Sequence, residues 1–548
     1  MDLLRKKPIT PATGAEGEIH GGDRLGRHLS VRDLTFFGIA AIIGAGSFSS
    51  LGQACYSGGP GVVLLFVMCG VACGFTALCY AEFAARVPVS GSAYTYAYVS
   101  FGELFAWIIG WALIMEYSIG NIYVAFSWSG YFTNLLDGFG LHLPAWLTIN
   151  YRAAHAAFDT GIAGEGLTAW TTAPMVGGLR IIFDLPAVAI NILITWAVYI
   201  GVKESRNLSN TMVVVKLAII LLVMVVGIYY VDITNWSPFL PNGFGGVMAG
   251  VSAVFFAYIG FDAVSTLAEE SKDPQRDLPR GMIYSLILCT AIYVVLALVL
   301  TGMVGWEQLG VNDPLAEVFA LRGVKWMLFL VSIAAVVAMT SVLLVFQMGQ
   351  PRIWMSMSRD GLMPARFSAI HPRYRTPGFS TIATGLVVGI PIFFTDETFI
   401  LDFTSIGTLF AFVLVCGGVL LLPRRERTKG GFNLPFINSR WVAPIMLAGA
   451  IGLVVAFVPG HFSGLLDLSE GRLAHNLPQL VFWPLCVGVV ALSHVKQWSL
   501  IPVLGLLSCC YLLTGMEVSN WIWFSVWLLI GLVCYFAYGY RKSKLVRS

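Results

Sequence analysis

The chain has 548 residues, of which 57% are hydrophobic and only 11% charged, and its mean hydropathy is +0.78. Soluble domains average about 25% charged residues, so a water-soluble protein of this size is excluded and a polytopic membrane protein is indicated. The net charge of +3 gives no argument for nucleic acid or for acidic partners.

The first 33 residues are polar and carry Arg5, Lys6, Lys7, Arg24, Arg27 and Arg32, without the apolar core and cleavage site of a signal peptide. Fourteen apolar segments follow, near 34–57, 60–87, 102–133, 182–201, 211–231, 244–268, 281–304, 324–349, 379–395, 401–423, 440–459, 476–494, 499–515 and 520–540. Most reach the roughly 17–25 residues a spanning helix needs. With the N-terminus inside and the sides alternating, the inner segments hold 27 of the 33 basic residues. The outer loops hold Arg152, Arg180, Arg322, Lys325 and Arg472, and Lys216 falls within a span. This bias predicts a multi-pass protein of the cell (cytoplasmic or plasma) membrane with both termini cytoplasmic. The longest outer loop, about 134–181, carries no readable motif.

Two segments are unusual for spanning helices. The first reads Gly38-Ile-Ala-Ala-Ile-Ile-Gly44-Ala-Gly46-Ser-Phe48, and the sixth reads Gly250-Val-Ser-Ala-Val-Phe-Phe-Ala-Tyr-Ile-Gly260-Phe-Asp262. Each glycine weakens a helix by about 1 kcal/mol relative to alanine. Lipid cannot satisfy the backbone groups that an unwound turn frees, so such a break must line a polar cavity. Close packing of small residues is the alternative for either segment alone. Interruptions at corresponding positions, one and six, point instead to a transporter of two five-helix inverted repeats. Half-helix N-termini offer N–H groups to a carboxylate and half-helix C-termini offer carbonyls to an ammonium. Together they suit an α-amino acid.

Ionisable residues at membrane depth are functional candidates. Lys216, in Thr211-Met-Val-Val-Val-Lys216-Leu-Ala, has no neighbouring charge. A lysine that loses its proton in one state and regains it in another can couple protons to transport; snorkelling to a helix end is the alternative. Glu116, in Gly110-Trp-Ala-Leu-Ile-Met-Glu116-Tyr117, is the other deep charge, and the two could exchange a proton. Glu82 reads as gate or packing and Asp262 as a helix-orienting group. Glu269 and Glu270 are expected to pair with Arg or Lys of neighbouring loops as an intracellular gate. All ten cysteines lie in apolar stretches and all eight histidines in tails or loops, so neither a disulfide framework nor a metal or haem centre is expected. No catalytic triad, His-Glu-x-x-His or Walker-type loop is present at depth, which argues against an enzyme and against ATP-driven transport.

Tyr80-Ala-Glu-Phe-Ala-Ala-Arg-Val-Pro-Val-Ser-Gly-Ser-Ala-Tyr-Thr-Tyr-Ala-Tyr98, Phe255–Ser265 with Ala268-Glu-Glu270, Met357–Pro364 with Thr376-Pro377, and the last helix, Trp521 to Tyr540, resemble the cationic amino acid transporter family. That family lies within the amino acid–polyamine–organocation superfamily, and the resemblance covers about 30–423 and 499–545. It implies an all-α integral membrane protein of the leucine-transporter-type 5+5 inverted-repeat fold, with about 14 transmembrane helices. A cytoplasmic tail (1–33) would precede a ten-helix core (34–423, halves 34–231 and 244–423). Four C-terminal helices with a short cytoplasmic tail (424–548) would follow. By resemblance, the substrate carboxylate meets N–H groups at Gly44, Ala45 and Gly46, and its ammonium meets carbonyls of Ile42, Phe256, Ala257 and Ile259. Phe256 covers the site, Met339 faces the substrate side chain, and Lys216 and Glu116 match proton-coupling positions. Ala40, Ala45 and Ser47 depart from the Gly, Thr and Ile usual in the first-helix motif, and Ala112 replaces a polar residue. The implied activity is secondary active L-amino acid transport, proton-coupled symport by alternating access. No acidic residue of the motifs faces a guanidinium and Met339 is bulky and apolar, so a preference for small or medium neutral side chains is expected. An exchanger or facilitator of cationic amino acids without proton coupling, and a non-transporting amino acid sensor, are the alternatives. The proton would be the coupling ion, with no cofactor and no metal. Expected partners are the amino acid and the lipid bilayer, with a small single-span membrane partner left open.

Overall fold

The computed structural model describes residues 3–7, 27–44, 46–161, 164–311, 313–395, 397–423, 432–457, 460–465 and 472–547, with side chains left undescribed at 179, 202–208, 397–403, 457, 472–475 and 546–547. In chain order the helices are α1 (Val31–Ile42), α2 (Leu51–Gly58), α3 (Val62–Arg86), α4 (Ser92–Ser100), α5 (Glu103–Gly138), α6 (Tyr151–Thr160), α7 (Glu165–Thr172), α8 (Leu185–Ile200), α9 (Val202–Tyr229), α10 (Gly243–Ala249), α11 (Val251–Phe256), α12 (Pro274–Met303), α13 (Pro314–Leu321), α14 (Lys325–Arg359), α15 (Gly378–Ile392), α16 (Glu397–Leu421), α17 (Ser439–Phe457), α18 (His461–Leu465), α19 (Arg472–Lys496), α20 (Leu500–Leu513) and α21 (Val518–Cys534). Among the described residues, ten helical stretches are long and apolar enough to cross a membrane, and α8, α15 and α20 are shorter apolar helices.

Local sequence explains the boundaries. Asp33 accepts from the Ser30 backbone N–H at 3.0 Å, closing the first turn of α1. Asp184 caps α8 by accepting from Ala187 N at 2.9 Å, with Pro186 in the first turn. Pro274 opens α12, where a missing N–H costs nothing. The first apolar segment breaks after Ile42, where α1 ends, and the sixth is divided into α10, α11 and a 3-10 helix, Phe261–Glu270. The long connection between α5 and α8 is folded: α6 and α7 enclose a small core of Ala154, Ala169, Trp170, Ala173 and Ile182, beside a hairpin of Met175–Val176 with Leu179–Arg180.

The core is one large apolar cluster running from the N-terminal segment to α21. α14 packs along α5, α3 along α12, and α1 against α12, α9 and α14. Burial ranks the elements. Within Val251–Glu270 the apolar window is 94% buried, whereas those of α17 and α19 are 11% and 17% buried. The broken sixth segment is therefore central, and α17 and α19 present most of their apolar surface outward, as lipid-facing helices do.

Candidate functional site

The two interruptions meet. A Cβ added at Gly46 would stand 2.5 Å from the Ala257 Cα, and one at Gly260 would stand 2.5 Å from the Ala41 Cβ. Only glycine permits the first approach. Gly260 also adopts φ +117°, a conformation that disfavours any side chain. The first interruption and the turn 257–260 thus cross at backbone contact in the protein interior.

Breaking α1 leaves carbonyls that have lost their i+4 donors. Lys216 on α9 supplies two replacements: its Nζ donates to Ile43 O at 2.5 Å and to Ala40 O at 3.1 Å. The same amine lies 2.9 Å from Ser341 Oγ on α14. The Tyr293 hydroxyl of α12 donates to Ile42 O at 2.7 Å. Ser50 Oγ lies 3.0 Å from both Gly46 O and Ala253 O, joining the interruption to α11. Lys216 is fully buried, so its amine turns into the bundle rather than snorkelling to an end.

The groups expected to hold a zwitterion can be followed atom by atom. The N–H groups of Gly44 and Gly46 have no backbone acceptor among the described residues, whereas Gly44 O accepts from Ser47 N and Phe48 N. Ala45 lies outside the described residues. Ile42 O is engaged by Tyr293, and Phe256 O accepts from Ile259 N at 3.2 Å. Each keeps a second lone pair. The carbonyls of Ala257 and Ile259 receive no backbone donor among the described residues. The Phe256 ring, at the end of α11, packs edge-on against Tyr123 with centroids 4.7 Å apart. Met339 is fully buried on α14. It precedes Val342 by three residues and so shares its face, and Val342 Cγ2 would clash with a Cβ at Gly44.

The structure separates the two deep charges. Glu116 and Lys216 form no ion pair among the described residues. Glu116 instead lies in the electrostatic range of Asp262. Asp262 receives the Tyr117 hydroxyl at 3.4 Å and faces the backbone N–H groups of Gly260 and Ala263, consistent with a helix-orienting role. Glu116 Oε2 and Asp262 Oδ1 are buried without a donor. Glu82 is a structural tie: it accepts from Arg86 Nε at 2.7 Å and from Leu434 N at 2.8 Å.

The acidic pair at the end of the sixth segment departs from expectation. Its partners are not loop residues but two arginines of α14, seven residues apart on one face. Arg352 Nε donates to Glu270 Oε1 at 2.6 Å in a fully buried pair, and Arg359 NH1 lies 3.0 Å from Glu269 Oε2. α14 continues ten residues past the apolar segment that ends near 349, and that extension carries both arginines across the sixth segment. Sequence reasoning also missed Tyr293 and Ser341. Their signal is a polar group inside an otherwise apolar span, a pattern too common to single them out.

All-helical spans built around two touching interruptions define an integral membrane transporter of the broken-helix kind. A model of the amino acid permease family matches residues 29–491, and a model of the permease C-terminus matches 500–543. The chain therefore belongs to the amino acid permease family, within the amino acid–polyamine–organocation superfamily, and is a transporter rather than an enzyme. It is 38% identical over 549 residues to the branched-chain amino acid permease BcaP of Bacillus subtilis (strain 168), with 99% of each chain covered. It is 40% identical over 479 residues to the methylthioribose transporter of the same organism, covering 87% of this chain and 97% of that one. It is 32% identical to the vacuolar cationic amino acid transporter 2 of Arabidopsis thaliana, covering 100% of this chain and 94% of that one.

Proposed function

We propose that the protein takes up neutral L-amino acids by proton-coupled symport, in a fold of two inverted five-helix repeats and fourteen spans with both termini in the cytoplasm. The observation that carries the coupling is the amine of Lys216 on the carbonyls of Ala40 and Ile43. A protonated amine donates three hydrogen bonds and fixes the interruption, with its N–H groups at Gly44 and Gly46 aimed at a carboxylate. Loss of the proton removes a donor and the positive charge, which loosens the interruption and favours release of the substrate. Glu116 is the second proton-bearing group in this reading. Because the energy of coupling comes from differential affinity in the two states, the substrate and the proton must each bind the occluded arrangement more tightly than the open one.

The relatives bear on the substrate. BcaP is named for branched-chain amino acids and the Arabidopsis protein for cationic ones. Met339 supplies no carboxylate for a guanidinium or ammonium side chain, which favours the neutral class. The methylthioribose transporter is named for a substrate with neither carboxylate nor ammonium, so methylthioribose is the informative competitor.

The test uses purified protein in sodium-free liposomes, with labelled alanine, valine and arginine supplied separately, with and without an inward proton gradient. Gradient-stimulated uptake of the neutral labels, lost in Lys216→Ala, is the expected result. Uptake that keeps its pH dependence in Lys216→Ala removes the lysine from the coupling. Uptake that needs preloaded amino acid, gradient or not, replaces symport with exchange.

A further inference from the structure

We propose that a cleft on the face bearing the basic loops binds the phosphate-bearing headgroup of an anionic phospholipid. The cleft encloses about 860 Å³ between the end of α3, the first turns of α12, the end of α16, residues 432–436 and the α19–α20 junction. It is a built site. Leu434 N donates to Glu82, Phe432 N donates to Gln275 O at 3.4 Å, Ser439 N donates to Trp498 O at 3.0 Å and Leu500 N donates to Ile437 O at 2.7 Å. These bonds pin its walls to one another.

Among the described residues, four cations line it, Arg86, Arg276, Arg280 and Lys496, against one carboxylate, Glu82. Arg86 consumes that carboxylate, at 2.7 Å from Nε, and gives its NH1 to Pro423 O at 2.9 Å. Arg276, Arg280 and Lys496 are exposed and have no ion-pair partner among the described residues. Asp277, between the two arginines in sequence, acts on both only at longer range. Arg276 and Arg280 stand four residues apart, a like-charge spacing that destabilises a helix. Arg276 also sits in the first turn of α12, where the helix dipole disfavours cations. Among the described residues no carboxylate pairs directly with either arginine, and an external anion would.

The opposite wall selects the kind of anion. Leu422, Phe432, Phe436, Trp498 and Pro502 line it, and Phe436 is 52% exposed. A soluble phosphate would use the cations and leave these groups in water. A phospholipid uses both, with its phosphate among the cations and its glycerol and first methylenes along the apolar wall. Basic pockets between helices on the positively charged side of a membrane protein have this character. The cleft joins α3 and α12 of the core to α19 and α20, so a bound headgroup would cross-link the core to the C-terminal helices independently of what is transported.

The test delipidates the full-length protein in detergent and titrates phosphatidylglycerol or phosphatidylcholine, reading retained lipid by native mass spectrometry and the thermal unfolding midpoint in parallel. Phosphatidylglycerol is expected to be retained and to raise the midpoint, and phosphatidylcholine to do neither. Arg276→Gln and Lys496→Gln should each weaken phosphatidylglycerol about fivefold, the worth of one basic residue near an anionic surface. The triple variant Arg276→Gln/Arg280→Gln/Lys496→Gln should lose it at least about tenfold, with an unchanged midpoint in phosphatidylcholine. Arg276→Lys/Arg280→Lys should retain it. Equal retention by wild type and the single or triple glutamine variants overturns the site. Inorganic phosphate that stabilises wild type as well as the lipid does, and displaces it, assigns the cleft to a free anion and overturns the lipid reading.

Discussion

At the scale of single residues, the centre of the molecule depends on groups too small or too few to replace. Gly46 lies against the Ala257 backbone, and a methyl there would stand 2.5 Å from a Cα that has no rotamer to escape through. Overpacking of this kind costs about 1–3 kcal/mol or more. Gly46→Ala is therefore expected to lower uptake at least about tenfold, whereas Gly74→Ala, with nothing within 4 Å of the added methyl, should leave uptake unchanged; liposome assays at matched protein content decide. Met339 is the residue we expect to set side-chain size. Met339→Ser should admit larger or cationic amino acids, and a competition profile identical to that of the parent would show that Met339 does not face the substrate. Tyr293→Phe removes one hydrogen bond to Ile42 O, worth about 1 kcal/mol, and should reduce uptake severalfold without abolishing it.

At the scale of elements, the ion pairs hold the end of the broken sixth segment to α14. Removing one partner of a buried pair leaves an uncompensated charge and costs about 3–5 kcal/mol, whereas replacing both with apolar groups can be neutral. Arg352→Met should thus lower the thermal unfolding midpoint sharply. Arg352→Met combined with Glu270→Leu should recover most of that loss, although N–H donation from His28 and Leu29 to the Glu270 carbonyl continues unchanged. The exposed-side pair Arg359–Glu269, about a quarter exposed, should matter far less to stability. Equal midpoints for the single and double variants would mean that the pair is not what joins these elements. The same elements show what a sequence reveals. Apolar runs of 20 residues announce themselves, so every apolar segment is helical here. The glycines at 44, 46 and 260 mark both interruptions, because a backbone requirement leaves a residue-type signature. The partners of Glu269 and Glu270 lie on a helix and not in loops because α14 runs past its apolar stretch, through Pro351 to Arg359. Hydropathy ends where the bilayer does, and a helix need not. Lys216 was legible as a deep charge, but its carbonyl partners 173 and 176 residues away leave no trace in local pattern, and its expected exchange with Glu116 finds no direct contact.

At the scale of the whole molecule, the order of the spans fixes which face carries the lipid cleft, the ion pairs and the termini. In the proposed fourteen-span topology α17 and α19 both cross, and α18 lies opposite the α19–α20 junction. Ser463, on α18, and Gln497, after α19, are both exposed and sit on the two sides of α19. In intact cells, Ser463→Cys is expected to react with a membrane-impermeant maleimide, and Gln497→Cys only after the membrane is opened. Eight of the ten native thiols are buried and serve as a low background, and the half-exposed Cys510 and Cys534 are controlled by the unsubstituted protein. Both positions reacting from one side would mean that α19, with its two internal prolines, does not span. The number of crossings would then be odd, the termini would lie on opposite sides, and either the cleft or the N-terminal segment would leave the basic face. Opposite reactivity places Gln497, and with it Lys496, at the inner surface, so that the cleft Lys496 lines together with Arg276 and Arg280 faces the cytoplasmic leaflet.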